Sequence, residues 1–221
     1  MWGWRQGLAG LAVAFAPQVL LYLAAAGMAG GTVTTTTVTA GSALLLVLSS
    51  FIMYGWQVFG AWLFSLRRAG ARLVLWGFRK PSAAFWWTIP TALLGVYALS
   101  FVHDIVVDPR QQEIIDQFPR SASGLVLFVV LAVVMAPLFE EVFFRGFLFR
   151  GFAESWGWFW GAVASGVIFA LAHLQLDVAV PLFALGFVLA WVYHRTGSLW
   201  TSIALHAVFN GVSVMAWYFL I

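Results

Sequence analysis

Several ionisable side chains stand inside apolar stretches of this sequence, where an unpaired charge is costly. The run from Ala136 to Gly151 reads APLFEEVFFRGFLFRG and contains Glu140, Glu141 and Arg145. A charge buried among apolar groups is unfavourable unless it is paired or neutralised. Glu141 and Arg145 are four residues apart, so on a helix they can pair on one face. Glu140 points about 100° away from Glu141, and therefore needs a partner from another element.

Two other apolar stretches carry polar side chains with the same spacing. Phe169 and His173 are four residues apart in FALAH, and His206 and Asn210 are four residues apart in HAVFN. On a helix the two members of each pair share a face. A polar cluster that only holds helices together remains one interpretation of these residues. The adjacent carboxylate of Glu140, which such a cluster does not need, favours a functional site.

These residue types suit hydrolysis by an activated water. A carboxylate beside imidazoles can hold and deprotonate a water molecule, and His and Asn donors can stabilise a developing oxyanion. The same Glu and two His residues also suit a zinc ion with one open position. A non-enzymatic transporter or binding protein would use similar side chains for protons or ligands. The residues alone leave these three possibilities open.

The composition indicates the elements that must position these residues. The chain has 221 residues, of which 63% are hydrophobic and 9% charged, whereas soluble domains carry about 25% charged residues. This balance is typical of a polytopic membrane protein. There is no cysteine, so disulfides and cysteine metal sites are excluded. No cluster of Lys and Arg is paired with a polar domain, which argues against nucleic acid as a partner.

Apolar runs long enough to cross a bilayer predict an all-α transmembrane bundle of about seven spans, within a range of six to eight. Polar loops are predicted at TVTTTTVTAG and at DPRQQEIIDQFPRSAS. The alternative for the first of them is the frayed start of a helix. The segment from Leu73 to Phe78 is a candidate for a short interfacial helix. The first run is expected to be a retained helix rather than a signal peptide. The predicted spans are Leu8 to Ala29, Ala43 to Leu66, Ala83 to Val107, Gly124 to Phe152, Trp156 to Leu176, Val178 to Tyr193 and Leu199 to Ile221.

The basic residues predict the orientation of this bundle. Five of them lie between the second and third spans, and basic loops stay in the cytoplasm. Alternation then places the N-terminus with Arg5 inside, together with Arg150 and Arg195. Counting ~1.5 Å per residue from the predicted cytoplasmic ends places the polar side chains of three spans in one slab of the membrane. These side chains are Glu140, His173, His206 and Asn210.

Together the three motifs resemble those of the CAAX protease and bacteriocin-processing (CPBP, or Abi) family of intramembrane proteases. That family carries EExxxR, FxxxH and HxxxN on separate transmembrane helices, and here they read EEVFFR, FALAH and HAVFN, in the same order. The resemblance covers about Leu125 to Val214. It implies a helical membrane core that encloses a catalytic cavity. We expect an N-terminal region of about three spans at 1–123 and a catalytic core of about four spans at 124–221.

The resemblance also implies a role for each motif residue. Glu140 would activate the attacking water and His173 would help to hold it. His206 and Asn210 would stabilise the oxyanion. The supporting residues would be Glu141, Arg145 and Phe169.

Members of this family are described both as metalloproteases and as glutamate-dependent proteases without metal. We favour the metal-free mechanism and predict no cofactor. A fixed zinc ion is usually held by three firm ligands, and here the third would be Asn210 or a second carboxylate. An amide oxygen is a poor zinc ligand. Zinc stays the alternative.

The implied substrate is a lipidated or membrane-anchored peptide, cleaved by an endopeptidase in contact with membrane lipid. Eukaryotic relatives remove the last three residues of prenylated CAAX proteins. This compact chain is expected in a bacterial cell membrane, where peptide maturation, bacteriocin self-immunity or cleavage of an anchored regulator are the candidate roles. An immunity or transporter-like protein that only binds through the Glu and His cluster is the alternative.

Other intramembrane proteases fit the sequence poorly. A site-2-type zinc protease needs HExxH, and the chain contains no His-Glu dipeptide. An aspartyl type needs aspartates in two helices, and the core spans contain none. A rhomboid needs a GxSG serine, whereas Ser165 lies in ASGV and is better explained as a small residue for helix packing. A transporter usually shows repeats, and none is visible.

Overall fold

The computed structural model describes residues 2–28, 39–67, 72–83, 85–107, 118–119 and 121–220. In that part of the chain the regular elements are helical, without β-strands. Two segments with π-helical hydrogen bonding, π1 (Val130–Met135) and π2 (Val142–Phe149), and one 3₁₀ turn (Leu73–Trp76) interrupt or join the α-helices. The α-helices are α1 (Trp4–Met28), α2 (Ala40–Phe64), α3 (Phe85–Val107), α4 (Ala122–Val129), α5 (Ala136–Glu141), α6 (Arg150–Ala172), α7 (Ala179–Thr196) and α8 (Leu199–Leu220).

Helices lie at each of the predicted spans. Helices α1, α2, α3, α7 and α8 correspond to the first three and the last two. The predicted fourth and fifth spans are joined in one run, Ala122–Ala172. The two spans are separated at Gly157. Its φ of 79° and ψ of 162° are not helical and lie in a region that glycine adopts readily. The chain reverses at this glycine, since a Cβ on Gly161 would lie only 2.7 Å from the Ala153 nitrogen. The helix after Gly157 therefore packs back against the helix before it, in agreement with two predicted spans.

One predicted helix end was wrong by four residues. The fifth span was expected to continue to Leu176, but α6 ends at Ala172 and His173 is its C-terminal cap. The next residue, Leu174, has a φ of 56°, which a helix cannot continue through. The chain therefore turns immediately after the histidine of the FxxxH motif. This turn places His173 at a helix end instead of inside a span.

The chain is a multi-pass membrane protein. Five helices of the described ranges are long and apolar enough to cross a bilayer, and the kinked run Ala122–Ala172 counts as one of them. Large apolar side chains point outwards, as at Ile52, Trp87 and Val106, which are 66%, 80% and 77% exposed. Such a surface suits lipid better than water. The number of crossings, between six and eight, stays a prediction.

Both predicted polar loops end in a helix cap. Thr39 Oγ1 accepts a hydrogen bond from the Ser42 amide, and Ser42 Oγ accepts one from the Thr39 amide, so a capping box starts α2. Ser121 Oγ likewise accepts from the Gly124 amide at the start of α4. Most of TVTTTTVTAG and DPRQQEIIDQFPRSAS, at 29–38, 108–117 and 120, lies outside the described residues. The loop predictions there stay untested.

The centre of the molecule is π2, all eight of whose residues are buried. Phe143 packs edge-on against Phe15 of α1, with ring centroids 5.8 Å apart. On the other side α6 and α7 approach closely, because a Cβ on Gly186 would lie only 3.0 Å from Gly166 Cα. Small residues at such a crossing let membrane helices pack backbone to backbone. Positions 142–145 of the EExxxR motif therefore lie in a fully buried segment, and its two glutamates precede that segment at the end of α5.

The predicted short interfacial helix is the 3₁₀ turn, and it is tied to one end of the bundle. Trp76 is buried, and its Nε1 donates to Ser65 Oγ at 3.0 Å. Tyr193 Oη donates to the Trp76 carbonyl at 3.0 Å, and Arg150 donates to the Leu75 carbonyl. The turn thus joins π2, α6 and α7 at the level of the basic residues between α2 and α3.

Candidate active site

All four residues predicted as catalytic line a single cavity of about 770 Å³. Glu140 reaches it from α5, His173 from the end of α6, and His206 and Asn210 from α8. Folding therefore brings together the side chains that the sequence places in three separate motifs. Their catalytic roles remain predictions.

Glu140 keeps one carboxylate oxygen for the cavity. Its Oε1 accepts a hydrogen bond of 3.0 Å from Tyr54 Oη of α2. Its Oε2 is buried and has no hydrogen-bond partner among the described residues. A buried carboxylate oxygen without a protein partner is unfavourable unless a water or a ligand group contacts it. The sequence predicted that Glu140 needs a partner from another element. Tyr54 of α2 is such a partner.

Glu141 and Arg145 form the ion pair that their spacing predicts. Arg145 Nη1 donates to Glu141 Oε1 at 2.7 Å, and both side chains are fully buried. Arg145 Nη2 also donates to the Gly186 carbonyl of α7 at 3.1 Å. The guanidinium lies 4.6 Å from the centroid of the Phe169 ring, within cation–π distance. The pair thus lies behind the cavity wall and links π2 to α6 and α7.

His206 is held by the same carboxylate, a contact that the sequence did not predict. Its Nδ1 lies 3.0 Å from Glu141 Oε1, and its side chain is almost fully buried. An ionised carboxylate only accepts hydrogen bonds, so Nδ1 carries the proton in this contact. The ring orientation is then fixed, and Nε2 is the nitrogen left for the cavity. Glu141 therefore supports the site through His206 as well as through Arg145.

His173 is oriented by the backbone of its own motif. Its Nδ1 lies 2.8 Å from the carbonyl oxygen of Phe169. Because a carbonyl only accepts, Nδ1 is the protonated nitrogen, and in the neutral ring Nε2 is an acceptor. The Phe169 ring also packs against His173 and His206, with centroids 4.8 and 5.8 Å away. Phe169 thus contacts three polar members of the site, the two histidines and Arg145.

Asn210 is held by a backbone carbonyl that accepts no hydrogen bond from the residues four and five positions later in its own helix. Its Nδ2 donates to the Ala132 carbonyl of π1 at 2.7 Å. The Ala136 amide, four residues after Ala132, donates instead to the Leu131 carbonyl. Pro137, five residues after Ala132, has no N–H to give. Pro137 therefore leaves a backbone acceptor for Asn210.

Sequence reasoning missed the contribution of α1 and α2 to the cavity. Tyr54 contacts Glu140 directly, and further polar side chains of α1 and α2 line the wall. These helices carry none of the three motifs. A signal was nevertheless present, because Ser50, Tyr54 and Gln57 are spaced four and three residues apart and form a polar stripe on an apolar helix. That stripe faces the cavity.

Two alternative chemistries can be compared with this geometry. Ser165 is fully buried, and its Oγ donates to the Phe144 carbonyl at 3.0 Å, as expected of a packing residue. In the described ranges, no three His, Cys, Asp or Glu side chains converge closely enough to hold a metal ion. Zinc stays the alternative to the metal-free mechanism.

Comparison with known proteins places these motifs in a family. Residues 122–212 match the family described as Type II CAAX prenyl endopeptidase Rce1-like. These residues are therefore similar to the CAAX protease family, and 122–212 are called the CAAX protease region below. The CAAX protease region contains all three motifs and runs from α4 into α8, whereas α1, α2 and α3 lie outside it.

Three curated bacterial proteins are similar to the chain. The first, named "Putative membrane peptidase YdiL", from Bacillus subtilis (strain 168), is 31% identical over 84 residues, which are 38% of this chain and 34% of the relative. An "Uncharacterized 24.3 kDa protein" from Escherichia coli is 27% identical over 118 residues, 51% of this chain and 54% of the relative.

The third relative is "UPF0177 protein YxdF" from Lactococcus lactis subsp. lactis (strain IL1403). It is 25% identical over 116 residues, 52% of this chain and 61% of the relative. The chain thus covers between 34% and 61% of the length of these relatives. No solved structure gives a significant match.

Proposed function

We propose that this chain is an intramembrane endopeptidase that hydrolyses a peptide bond with a water activated by Glu140. The observation that carries the proposal is the single cavity onto which Glu140, His173, His206 and Asn210 open. Within it, Glu140 Oε2 is the buried acceptor without a partner among the described side chains. The similarity of residues 122–212 to the CAAX protease family supports the same reaction class.

Glu140 and His173 each accept one hydrogen bond from the attacking water in this mechanism. One O–H donates to Glu140 Oε2 and the other to His173 Nε2, the acceptor left free by the bond to Phe169. Glu140 takes a proton as the water oxygen attacks the carbonyl carbon. It then returns that proton to the leaving amine when the carbon–nitrogen bond breaks. Each step balances without a covalent enzyme intermediate.

His206 and Asn210 stabilise the oxyanion in this mechanism. Asn210 Nδ2 has a second hydrogen beyond the one donated to Ala132. His206 donates through Nε2 when its ring is an imidazolium, while Nδ1 stays on Glu141. The charges of the cluster then cancel, since Arg145 and the imidazolium balance the two glutamates. Such balance is what a buried cluster requires.

The proposed reaction uses no metal ion. In the described ranges, no three His, Cys, Asp or Glu side chains converge as a zinc site requires. We expect purified protein to contain far less than one zinc per chain and a chelator to leave cleavage unchanged. Stoichiometric zinc that is lost together with activity would show a metalloprotease instead.

The proposed substrate is a lipidated or membrane-anchored peptide. The cavity lies inside an apolar bundle, and phenylalanine and leucine side chains form much of its wall. Such a wall accepts a lipid-linked or transmembrane segment more readily than a soluble protein loop. We place the protein in a bacterial cell membrane with its N-terminus in the cytoplasm, in agreement with the distribution of basic residues.

A cleavage assay on reconstituted vesicles tests this function. The probes are an internally quenched peptide ending in a farnesylated CAAX sequence and a single-spanning membrane peptide. We expect the wild-type protein to cleave at least one of them, and Glu140→Gln to lower the rate by about 100-fold or more. Glu154→Gln is the matched control, because Glu154 is exposed on α6. A folded Glu140→Gln variant with the wild-type rate would refute the water-activating role.

A further inference from the structure

A residue outside the CAAX protease region contacts the proposed base. Tyr54 belongs to α2, and its Oη lies 3.0 Å from Glu140 Oε1. The family match begins at residue 122, so it does not include this contact. No motif of the sequence contains Tyr54.

The Tyr54 ring is held firmly beside Glu140. It stacks on Phe139, the residue before Glu140, with centroids 5.5 Å apart and planes only 6° from parallel. Phe51, one turn earlier on α2, packs edge-on against the same Phe139 ring at 5.8 Å. The phenol is therefore held by its stacking on Phe139, which Phe51 holds in turn, and its hydroxyl has a defined direction.

We propose that Tyr54 is a positioning residue that sets the orientation of the Glu140 carboxylate. A phenol can only donate to a carboxylate, so Tyr54 occupies Oε1 and directs Oε2 to the cavity. Without this donor the carboxylate plane turns freely, because the last torsion of glutamate is broad. Tyr54 keeps its proton throughout, so no transfer step is added. The inference rests on the proposed function of Glu140.

It follows that the N-terminal helices complete the site. Helix α2 is in turn fixed to α1, since Trp56 Nε1 donates to the Val13 carbonyl at 2.9 Å. Helix α1 packs on π2 through Phe15 and Phe143. The position of the Tyr54 hydroxyl is therefore set by both N-terminal helices together.

Steady-state kinetics of Tyr54→Phe test the positioning role. The substitution removes only the hydroxyl and keeps the stacking on Phe139. We expect kcat to fall about tenfold, since a hydrogen bond to a charged group is lost, with KM within about twofold of wild type. A general disturbance of the cavity would raise KM as well. Tyr97→Phe is the matched control, because it removes a phenol whose hydrogen bond goes to the Phe209 carbonyl, at 2.9 Å, instead of to Glu140.

Thermal unfolding of the 221-residue chain tests the contact independently of any substrate. Tyr54→Phe and Glu140→Ala are measured singly and together. If the two side chains interact, the Tm of the double variant should fall by about 3 °C less than the sum of the two single falls. Tyr97→Phe combined with Glu140→Ala should be additive, since Tyr97 does not contact Glu140.

The two measurements separate this inference from the proposed function. If the wild type cleaves, Glu140→Gln does not, and Tyr54→Phe has the wild-type kcat, Tyr54 is not a positioning residue although the protease stands. If Glu140→Gln cleaves normally, the proposed function fails, and with it the role of Tyr54. If no probe is cleaved, the unfolding cycle decides, because additive Tm losses would overturn the Tyr54–Glu140 link and non-additive losses would support it.

Discussion

At the scale of single residues, the two adjacent glutamates have different surroundings. Glu140 is half-buried at the cavity, with one oxygen on Tyr54. Glu141 is fully buried and accepts from both Arg145 and His206 on one oxygen. The spacing of the sequence was sufficient to predict the Glu141–Arg145 pair, because both ends lie on one helix. The contacts to Tyr54 and His206 depend on how α2 and α8 pack, which no local pattern states.

Removing Arg145 should be strongly destabilising. Glu141 would keep its charge in a fully buried position with only His206 as partner, so we expect Arg145→Ala to lower the free energy of unfolding by about 3 kcal/mol or more. Denaturant unfolding in detergent measures the change. Arg5→Ala, at an exposed residue of α1, is the control and should stay within about 0.5 kcal/mol of wild type. Equal stabilities of the two variants would contradict the role of the buried pair.

At the scale of elements, irregular helix geometry positions the side chains of the site. The π1 segment and Pro137 leave the Ala132 carbonyl to Asn210. The early end of α6 places His173 at a turn. Hydropathy predicted that helices occur here, because apolar length alone determines a span. It could not predict their hydrogen-bond register, because a π segment and an α-helix of the same composition have the same hydropathy.

Replacing Pro137 by alanine restores a backbone N–H and should weaken the hydrogen bond from Asn210 to the Ala132 carbonyl. In Pro137→Ala the new amide can donate to the Ala132 carbonyl and compete with Asn210 Nδ2. We expect kcat to fall about tenfold, while Tm stays unchanged or rises. Pro90→Ala, within α3, is the matched control and should keep the wild-type kcat. If Pro137→Ala cleaves as fast as wild type, the proline does not act through Asn210.

The close crossing of α6 and α7 should tolerate no extra methyl group. A Cβ on Gly186 would lie 3.0 Å from Gly166 Cα and 3.2 Å from Phe169 Cδ1, so Gly186→Ala forces the helices apart. We expect a loss of about 1–3 kcal/mol in unfolding free energy. Gly95→Ala in α3 is the control, because a Cβ there meets nothing within 4 Å, and the helix should gain stability. A neutral Gly186→Ala would show that this crossing is looser than described.

At the scale of the whole molecule, the bundle joins a motif-free N-terminal half to the CAAX protease region. Helix α1 contacts π2 through Phe15, and α2 contacts α5 through Tyr54. Tyr97 of α3 donates to the Phe209 carbonyl of α8. The helices of both halves could be predicted from hydropathy. Their contribution to one cavity could not, because it arises from contacts between distant parts of the chain.

Cysteine labelling tests the orientation of the whole chain in the membrane. The sequence contains no cysteine, so single substitutions can be read without background. Ser82→Cys, beside the basic residues between α2 and α3, should react with a membrane-impermeant maleimide only after the cells are opened. Leu176→Cys, whose side chain is 80% exposed between α6 and α7, should react in intact cells. The reverse pattern would place the N-terminus outside.

The most direct test of the central claim is the single-turnover cleavage rate of Glu140→Gln in chelator-treated vesicles. With enzyme in saturating excess over the cleaved probe, the rate constant reports chemistry instead of binding. Water activation by Glu140 predicts a fall of about 100-fold or more against wild type, with Glu154→Gln at the wild-type rate. A Glu140→Gln variant that binds the probe and cleaves it at the wild-type rate would contradict the account.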